Sequence, residues 1–138
     1  MSKRPITRVG DVMKTDIDIV DGMATIKDAL SAMRYPENKA LIVAKRHDDD
    51  EYGILLISDI GRKVLAGDRA PDRVNVYEVM QKPVISVHPT MDIRYCARLL
   101  DRFQLTRVPV VDDGRVVGIV SFTDLVLRGM SVSRPDKD

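Results

Sequence analysis

The segments GILLISD (Gly53–Asp59) and GIVSFTD (Gly118–Asp124) are two copies of one pattern. Each begins with Gly-Ile, continues with apolar residues, and closes with a hydroxyl residue followed by Asp. At the fourth position the later copy has Ser121, whereas the earlier copy has Leu56. Such self-similarity is typical of a chain built from repeated structural units, so we expect two related units here.

The repeat continues on the N-terminal side of both segments. Val12-Met13 recurs as Val79-Met80. Thr25 and Asp92, two good N-cap residue types, each precede a run of apolar residues. These runs have the i, i+3, i+4, i+7 spacing of an amphipathic helix. Their members are Ile26, Ala29, Leu30 and Met33 in the first copy, and Ile93, Cys96, Ala97 and Leu100 in the second.

Each copy predicts the order strand, helix, strand, strand, helix. The predicted fold class is therefore α/β (α+β), with two pseudo-symmetric β-α-β-β-α repeats packed together. In the first copy the elements are Asp16–Val20, Thr25–Arg34, Ala40–Lys45, Tyr52–Ile57 and Asp59–Ala66. In the second they are Val84–Val87, Asp92–Arg102, Val108–Val111, Val116–Ser121 and Asp124–Gly129. The sequence Asp112-Asp113-Gly114 predicts a tight hairpin turn, which the first copy replaces with the charged loop KRHDDDE.

The repeats also predict the domain organisation. Residues 1–66 form the first repeat with its N-terminal segment, and residues 76–130 form the second. Residues 67–75, GDRAPDRVN, contain Gly, Pro and charged residues and are predicted to be a linker. Residues 131–138 are predicted to be a C-terminal tail.

Composition limits the classes of function. The chain has 138 residues, of which 44% are hydrophobic and 31% charged, as expected for a globular protein. A net charge of +1 and an aromatic content of 4% argue against nucleic-acid binding, which needs a basic surface or aromatic side chains that stack on bases. No apolar run approaches the ~18 residues of a membrane span, and no secretory signal is visible. The single cysteine, Cys96, fits a cytoplasmic location.

The sequence favours neither an enzyme nor a metal protein. His47 and His88 are the only histidines and Cys96 is the only cysteine, so no Cys/His zinc site is expected. We find no Ser/His/Asp grouping, no P-loop and no GxGxxG motif. We therefore expect no catalytic activity and no cofactor.

The order of elements resembles a tandem pair of CBS domains, the family named for cystathionine β-synthase. The matching stretches are VGDVM and VYEVM, the segment TRVPVVDDGRVVGIVSFTDL, and its weaker counterpart NKALIVAKRHDDDEYGILLISDI. The resemblance implies a stand-alone regulatory CBS pair that binds an adenosine-containing ligand between its repeats. AMP, ADP, ATP and S-adenosylmethionine are the ligands implied. It also implies a homodimer that acts on an effector protein, whose identity the resemblance does not give.

The resemblance further implies the ligand-binding residues. In the family, the pattern Gly-apolar-x-Ser/Thr-x-Ser/Thr-Asp ends a strand and opens a helix, and its polar residues contact ribose or phosphate. Here the pattern gives Ser121, Thr123 and Asp124, and a basic residue before the Pro-Val-Val strand gives Arg107. Thr106 stands beside Arg107, and Pro109 is an apolar residue on which the base could lie. The looser part of the family pattern gives segments of the other repeat, Thr15–Asp18 and Asn38–Ala40, which here contribute Thr15, Asp18 and Lys39. A possible second site in the first copy would use Asp59 and Ser58.

These residue types suit an adenine nucleotide, but part of the pattern has a second explanation. A carboxylate can accept hydrogen bonds from both ribose hydroxyls, and an Arg side chain suits a phosphate. Alternatively, Thr123 or Ser58 could be a helix N-cap, with the following Asp complementing the helix dipole. Capping of that kind does not account for Ser121 or Arg107, so the second copy is the preferred site. The alternative function is a ligand-free structural or dimerisation adaptor.

Overall fold

The structure is a computed structural model that describes residues 5–130, and it has the mixed α/β fold expected from the sequence. The first element is a short helix, α1 (Val9–Val12), at the start of the first repeat. The first repeat contains β1 (Ile19–Val20), α2 (Ile26–Ala32), β2 (Ala40–Val43), β3 (Gly53–Leu56) and α3 (Ile57–Ile60). The second contains α4 (Ile93–Arg102), β4 (Arg107–Asp112), β5 (Arg115–Ser121) and α5 (Phe122–Asp124). The predicted tail, residues 131–138, lies outside the described residues.

Short helical turns complete the structure. A π-helical turn continues α3 at Gly61–Leu65, and another continues α5 at Leu125–Gly129. Single 3₁₀ turns occur at Pro36–Asn38, Pro71–Arg73 and Val76–Glu78.

Two small sheets carry the repeats. In the first sheet, β1 pairs in parallel with β2, and β2 pairs antiparallel with β3. In the second sheet, β4 and β5 form an antiparallel hairpin. Its turn residues Asp113 and Gly114 have φ angles of 52° and 76°, which is the left-handed conformation required by a two-residue type I′ turn. The tight turn predicted from the sequence is therefore present.

The first strand of each repeat is shorter than predicted. In the second repeat, Val84–Val87 does not form a strand; only Val87 bridges β4, opposite Val110. Pro83 and Pro89 lie on either side of this stretch, and proline has no N–H to extend a ladder. In the first repeat, β1 is limited to Ile19–Val20, although the Asp18 carbonyl still accepts a bond from the Ile42 N–H at 2.8 Å.

The two long helices begin as predicted. The Thr25 side chain accepts a hydrogen bond from the Asp28 N–H, and the Asp92 side chain accepts one from the Arg94 N–H. Cys96 is fully buried on the apolar face of α4. Both helices thus start at an N-cap residue that the sequence identifies and pack an apolar face on a core.

The described chain forms two packing units whose boundaries differ from those of the sequence repeats. One unit comprises residues 16–84, and the other comprises residues 5–15 together with residues 85–130. Each unit has its own buried apolar cluster. The cluster of the 16–84 unit contains Ile26, Ala29, Leu41, Val43, Leu55, Ile60, Val64, Val74, Val76 and Val79. The other contains Val9, Val12, Val87, Cys96, Leu100, Val108, Val110, Val120 and Leu125.

The packing units do not follow the sequence division at residues 1–66, 67–75 and 76–130, because the start of each sequence repeat packs in the unit that holds the hairpin of the other repeat. Val9 and Val12 belong to the start of the first sequence repeat but are buried in the core of the unit that holds the second hairpin. Val74, assigned by sequence to the linker, is buried beside α2, and its carbonyl accepts from the Ile26 N–H at 2.8 Å. The leading segments of the two repeats are residues 9–14 and residues 74–81. Apolar burial decides where they pack, because each contributes valines that would otherwise be exposed.

The leading segments also explain the Gly-Ile pair that opens both copies of the repeated pattern. Lys14 bridges Ile119 at the edge of β5, and the corresponding residue Gln81 bridges Ile54 at the edge of β3. A Cβ added at Gly118 would lie 2.7 Å from the Lys14 carbonyl oxygen, and one at Gly53 would lie 3.1 Å from the Gln81 carbonyl oxygen. The close backbone therefore leaves no room for a side chain at Gly118, and a tight fit for one at Gly53.

Candidate ligand-binding site

The candidate site lies at the end of the β4–β5 hairpin away from its turn. Arg107, the first residue of β4, is paired with Ser121, the last residue of β5. The Phe122 N–H donates to the Thr106 carbonyl at 2.9 Å, which fixes the start of α5 beside the start of β4. The antiparallel register therefore brings together Arg107, Thr106 and Ser121, which the sequence analysis assigned to one site.

Ser121 is the N-cap of α5. Its side-chain oxygen accepts a hydrogen bond from the Asp124 N–H at 3.0 Å. The alternative that Thr123 caps this helix is wrong, since Thr123 lies within the first turn and is exposed. Capping therefore does account for Ser121, contrary to the sequence argument, and Ser121 by itself is no longer evidence for a ligand.

Asp124 has an unusual environment for a buried carboxylate. Only 8% of the residue surface is exposed. Its side-chain oxygens accept no hydrogen bond from any residue in the range 5–130; their ion-pair contact is with Lys14 Nζ, 3.9 Å from Oδ1. Every fully buried side-chain oxygen in that range has a hydrogen-bond partner, so the Asp124 oxygens reach solvent. Buried polar groups are normally hydrogen-bonded within the protein. The acceptor oxygens of Asp124 are instead available to hydrogen-bond donors of a ligand.

The other buried polar side chains of the described residues do not share this property. Asp18, Asn38, Asp59 and Asp92 all take part in side-chain hydrogen bonds within the chain. Asp124 is therefore the exception among five.

Arg107 is half-buried near Asp124. Burial lowers the pKa of the Arg107 guanidinium from its ordinary value, and the charge of Asp124 acts in the opposite direction. The guanidinium Nε donates to the Thr106 hydroxyl at 3.3 Å. Pro109 is buried within β4, and its carbonyl accepts from the Val87 N–H at 3.1 Å. The site thus combines one carboxylate with two cationic side chains, Arg107 and Lys14.

The corresponding aspartate of the first repeat, Asp59, is in a different state. Its Oδ1 accepts from Arg62 at 3.0 Å, and its Oδ2 accepts from Gln81 Nε2 at 2.9 Å. Leu56 occupies the N-cap position of α3 and provides no side-chain cap. Ser58 is exposed, with its hydroxyl 3.4 Å from Arg62, so the alternative that Ser58 caps this helix is also wrong.

The remaining predicted residues are distributed over both units. Thr15 is exposed and follows Lys14 in the unit that contains Asp124.

Asp18 and Lys39 belong to the 16–84 unit. The Asp18 carboxylate accepts from the N–H groups of Arg34 and Tyr35, both at 2.9 Å, and so holds the turn after α2. Lys39 is exposed at a φ of 59°, and its carbonyl accepts from the Ile57 N–H. Ligand contacts by these three residues remain predictions.

Three side chains beside the two aspartates were not predicted from the sequence: Lys14, Gln81 and Arg62. Lys14 and Gln81 each follow the repeated Val-Met pair, so the repeat itself marked their position. Lys14 approaches Asp124, and Gln81 contacts Asp59, only because of the unit in which each leading segment packs. The order of residues in the sequence does not show this packing. Arg62 was detectable as a residue three positions after Asp59 on a predicted helix, where opposite charges meet.

Residues 5–130 contain no group of three or more His, Cys, Asp or Glu side chains that could hold a metal ion. No helix among them is both long enough and apolar enough to cross a membrane.

Comparison with known proteins identifies the family. The family model of the CBS domain matches residues 9–65 and 76–130, which together make up most of the chain. The chain belongs to the CBS-domain family. It is a tandem CBS pair, which is a regulatory module, and the resemblance noted from the sequence repeats is confirmed.

Curated relatives of this CBS pair cover similar stretches. CBS domain-containing protein YhcV of Bacillus subtilis is 31% identical over 91% of this chain and 88% of its own length. Hypoxic response protein 1 of Mycobacterium tuberculosis is 28% identical over 87% of this chain and 83% of its own length. An uncharacterized protein of Methanopyrus kandleri is 29% identical over 86% of this chain, which spans only 60% of that relative's length.

Solved structures show the same fold. The hexameric CBS-CP12 protein from bloom-forming cyanobacteria has a TM-score of 0.87 at 32% identity, covering 96% of this chain and 76% of that one. The CBS domain pair of protein MJ0100 has a TM-score of 0.77 at 27% identity, covering 93% of this chain and 98% of that one. The MJ0100 structure is a complex with 5-methylthioadenosine and S-adenosyl-L-methionine.

Proposed function

We propose that this CBS pair is a sensor that binds a phosphorylated adenosine ligand at Asp124, and that it is not an enzyme. The observation that carries the proposal is the Asp124 carboxylate, which is buried yet accepts no hydrogen bond from residues 5–130. The two vicinal hydroxyls of a ribose are donors that fit a carboxylate with two acceptor oxygens. Hydrogen bonds to a charged group contribute about 1.5–3 kcal/mol each.

The surrounding charges support an anionic ligand. Lys14 Nζ lies 3.9 Å from Asp124 Oδ1, and Arg107 is close enough for the Asp124 charge to act on its pKa. Cationic side chains of this kind, and a guanidinium above all, suit the oxygens of a phosphate group. AMP, ADP and ATP carry that group, whereas S-adenosylmethionine carries a cationic sulfonium. We therefore expect the phosphorylated ligands to bind more tightly, although the related MJ0100 pair binds adenosyl compounds without phosphate.

A thermal-shift panel of AMP, ADP, ATP and S-adenosylmethionine tests the proposal. A ligand present at ~100-fold its dissociation constant stabilises a protein by roughly 2.7 kcal/mol. We expect such a shift with at least one phosphorylated ligand, its loss in Asp124→Asn, and its retention in the matched control Asp59→Asn. The replacement of a carboxylate by an amide of similar size keeps the fold while it removes an acceptor. A shift that survives in Asp124→Asn would place the ligand elsewhere.

The second candidate is a ligand-free structural or dimerisation adaptor. The hydrogen bond from the Asp124 N–H to Ser121 favours it, since capping alone explains Ser121. The adaptor predicts no shift with any of the four ligands at millimolar concentration. It also predicts that Asp124→Asn changes stability alone.

The wider role that we propose is regulation of an effector protein by a cytoplasmic homodimer. Tyr95 on α4 and Phe103 at its C-terminal end are 58% and 51% exposed, and exposed aromatic side chains are frequent at protein interfaces. Light scattering of the purified chain, with and without AMP, measures the oligomeric state. A monomer under both conditions would contradict the homodimer.

A further inference from the structure

The two repeats place equivalent aspartates, Asp59 and Asp124, at the third position of the helix that follows each hairpin. In both units the leading segment lies along the edge of the hairpin, through Gln81 bridging Ile54 and Lys14 bridging Ile119. The backbone arrangement around the two carboxylates is therefore the same. What differs is which side chains reach them.

Both oxygens of Asp59 are occupied by side chains of the chain itself. Arg62 donates to Oδ1 at 3.0 Å and Gln81 donates to Oδ2 at 2.9 Å. Two hydroxyls on a ribose would need these same two acceptors. A ligand at Asp59 would thus replace existing hydrogen bonds and gain little, whereas at Asp124 it would add new ones.

Neither donor has an equivalent at Asp124. The residue that corresponds to Arg62 is Leu127, which is 62% exposed and cannot donate. The residue that corresponds to Gln81 is Lys14, whose Nζ lies 3.9 Å from Oδ1, beyond hydrogen-bond distance. Two substitutions between the repeats therefore separate a covered carboxylate from an uncovered one.

We propose that Arg62 and Gln81 donate to Asp59 the hydrogen bonds that a ligand's ribose hydroxyls would otherwise donate. They thereby block ligand binding at the first repeat, and the CBS pair binds one nucleotide per chain. This inference rests on the proposed nucleotide binding at Asp124. Arg62 and Gln81 are then specificity-determining residues of the first repeat, because they decide whether its aspartate is available. Their exchange for the residues of the second repeat opens a second site.

Calorimetric titration with AMP, repeated with ATP, tests the inference through stoichiometry. The wild-type chain is expected to bind one equivalent. The double variant Arg62→Leu, Gln81→Lys takes its residues from Leu127 and Lys14 of the second repeat and is expected to bind a second, weaker equivalent. The matched control Leu56→Ser adds the hydroxyl found in the second repeat but leaves Asp59 covered, and it should still bind one.

A converse variant checks the same idea at the other aspartate. Leu127→Arg introduces a guanidinium three positions after Asp124, as Arg62 is placed after Asp59. Since Leu127 is mostly exposed, the substitution does not disturb the core. We expect the affinity for AMP to fall about tenfold, which corresponds to 1.4 kcal/mol. Leu127→Gln, a polar control without the charge, should bind as the wild type does.

The outcomes separate this inference from the proposed function. Two equivalents in the wild type, or one in the double variant, would overturn the inference and leave nucleotide binding intact. Unchanged affinity in Leu127→Arg would also count against it. Binding by the double variant alone, with none in the wild type, would support the role of Arg62 and Gln81 in blocking Asp59, but it would refute both the proposed site at Asp124 and the count of one nucleotide per chain. No binding by either protein would overturn both.

Discussion

Arg107 and Ser121 lie opposite each other at the end of the β4–β5 hairpin, away from its Asp113-Gly114 turn. The pairing places a cationic side chain at the start of one strand beside the residue that caps the helix leaving the other. Asp124 follows in the first turn of that helix, and Lys14 reaches it from the leading segment. Groups suited to ribose and to phosphate are therefore assembled by one hairpin and the segment along its edge.

The Arg107 side chain is predicted to recognise phosphate. In Arg107→Ala we expect AMP to bind more weakly by about 1.5–3 kcal/mol, the contribution of a charged hydrogen bond. Adenosine, which has no phosphate, should bind nearly as before. The ratio of the two affinities, measured by calorimetry, removes any general effect on stability. Arg115→Ala, which changes an exposed arginine at the other end of the hairpin, is the control. Equal losses for AMP and adenosine would contradict the assignment.

The Ser121 cap is predicted to stabilise the unliganded protein. Ser121→Ala removes the acceptor of the Asp124 N–H and should lower the free energy of unfolding by about 1 kcal/mol. Ser121→Thr keeps a hydroxyl acceptor and should lose much less. Urea denaturation without ligand measures both variants. If Ser121→Ala were as stable as the wild type, the capping role would be wrong.

Gly118 is predicted to tolerate no side chain. In Gly118→Ala the new Cβ would lie 2.7 Å from both the Lys14 carbonyl oxygen and Met13 Sδ. The leading segment would have to move, so we expect a loss of about 1–3 kcal/mol in the free energy of unfolding. Gly61→Ala is the matched control, because its Cβ meets nothing within 4 Å and its backbone is helical. That change should stabilise the protein by about 0.5–1 kcal/mol.

Asp92 is predicted to make stability depend on acidic pH. The side-chain hydrogen bond from Arg94, with the bond from its backbone N–H, lowers the pKa of Asp92 to about 2. An unfolded Asp has a pKa of about 3.9. Because the folded pKa is the lower one, the stabilisation is complete above about pH 4 and is lost as the pH falls through 2.

Urea denaturation midpoints between pH 2 and pH 6 measure this dependence. Asp92→Asn should show a smaller loss of stability below about pH 4 than the wild type does. Asp101→Asn, at an exposed position of the same helix, should follow the wild-type curve. A parallel pH dependence for Asp92→Asn and the wild type would contradict the prediction.

Local signals in the sequence predicted much of the fold. The spacing of the apolar residues located α2 and α4, and Thr25 and Asp92 marked where they begin. Asp113-Gly114 located the hairpin turn, since few residues adopt the positive φ angles that a type I′ turn needs. These features depend on residues that are close in the chain, so their physical causes can be read from the sequence.

The N-cap residue of α5, by contrast, could not be identified from the sequence alone. Ser121 and Thr123 are both good N-cap types, and they lie only two positions apart. The structure selects Ser121 because β5 continues to that residue and α5 begins directly after it. Element boundaries depend on how far the strand remains paired, and here that pairing ends with Arg107.

The sequence by itself determined the repeat, the family pattern and the two equivalent aspartates, because these are properties of residue order. Arg62, which covers one oxygen of Asp59, is a local partner three positions along the chain, whereas only the tertiary structure decided that Gln81 covers the other oxygen and that Lys14 does not cover Asp124. Lys14 and Gln81 reach their partners only because each leading segment packs on the hairpin edge of its unit, where its buried valines stabilise it. Contacts between distant residues follow from apolar burial and edge pairing, so Asp59 and Asp124 look alike in the sequence and differ in the fold.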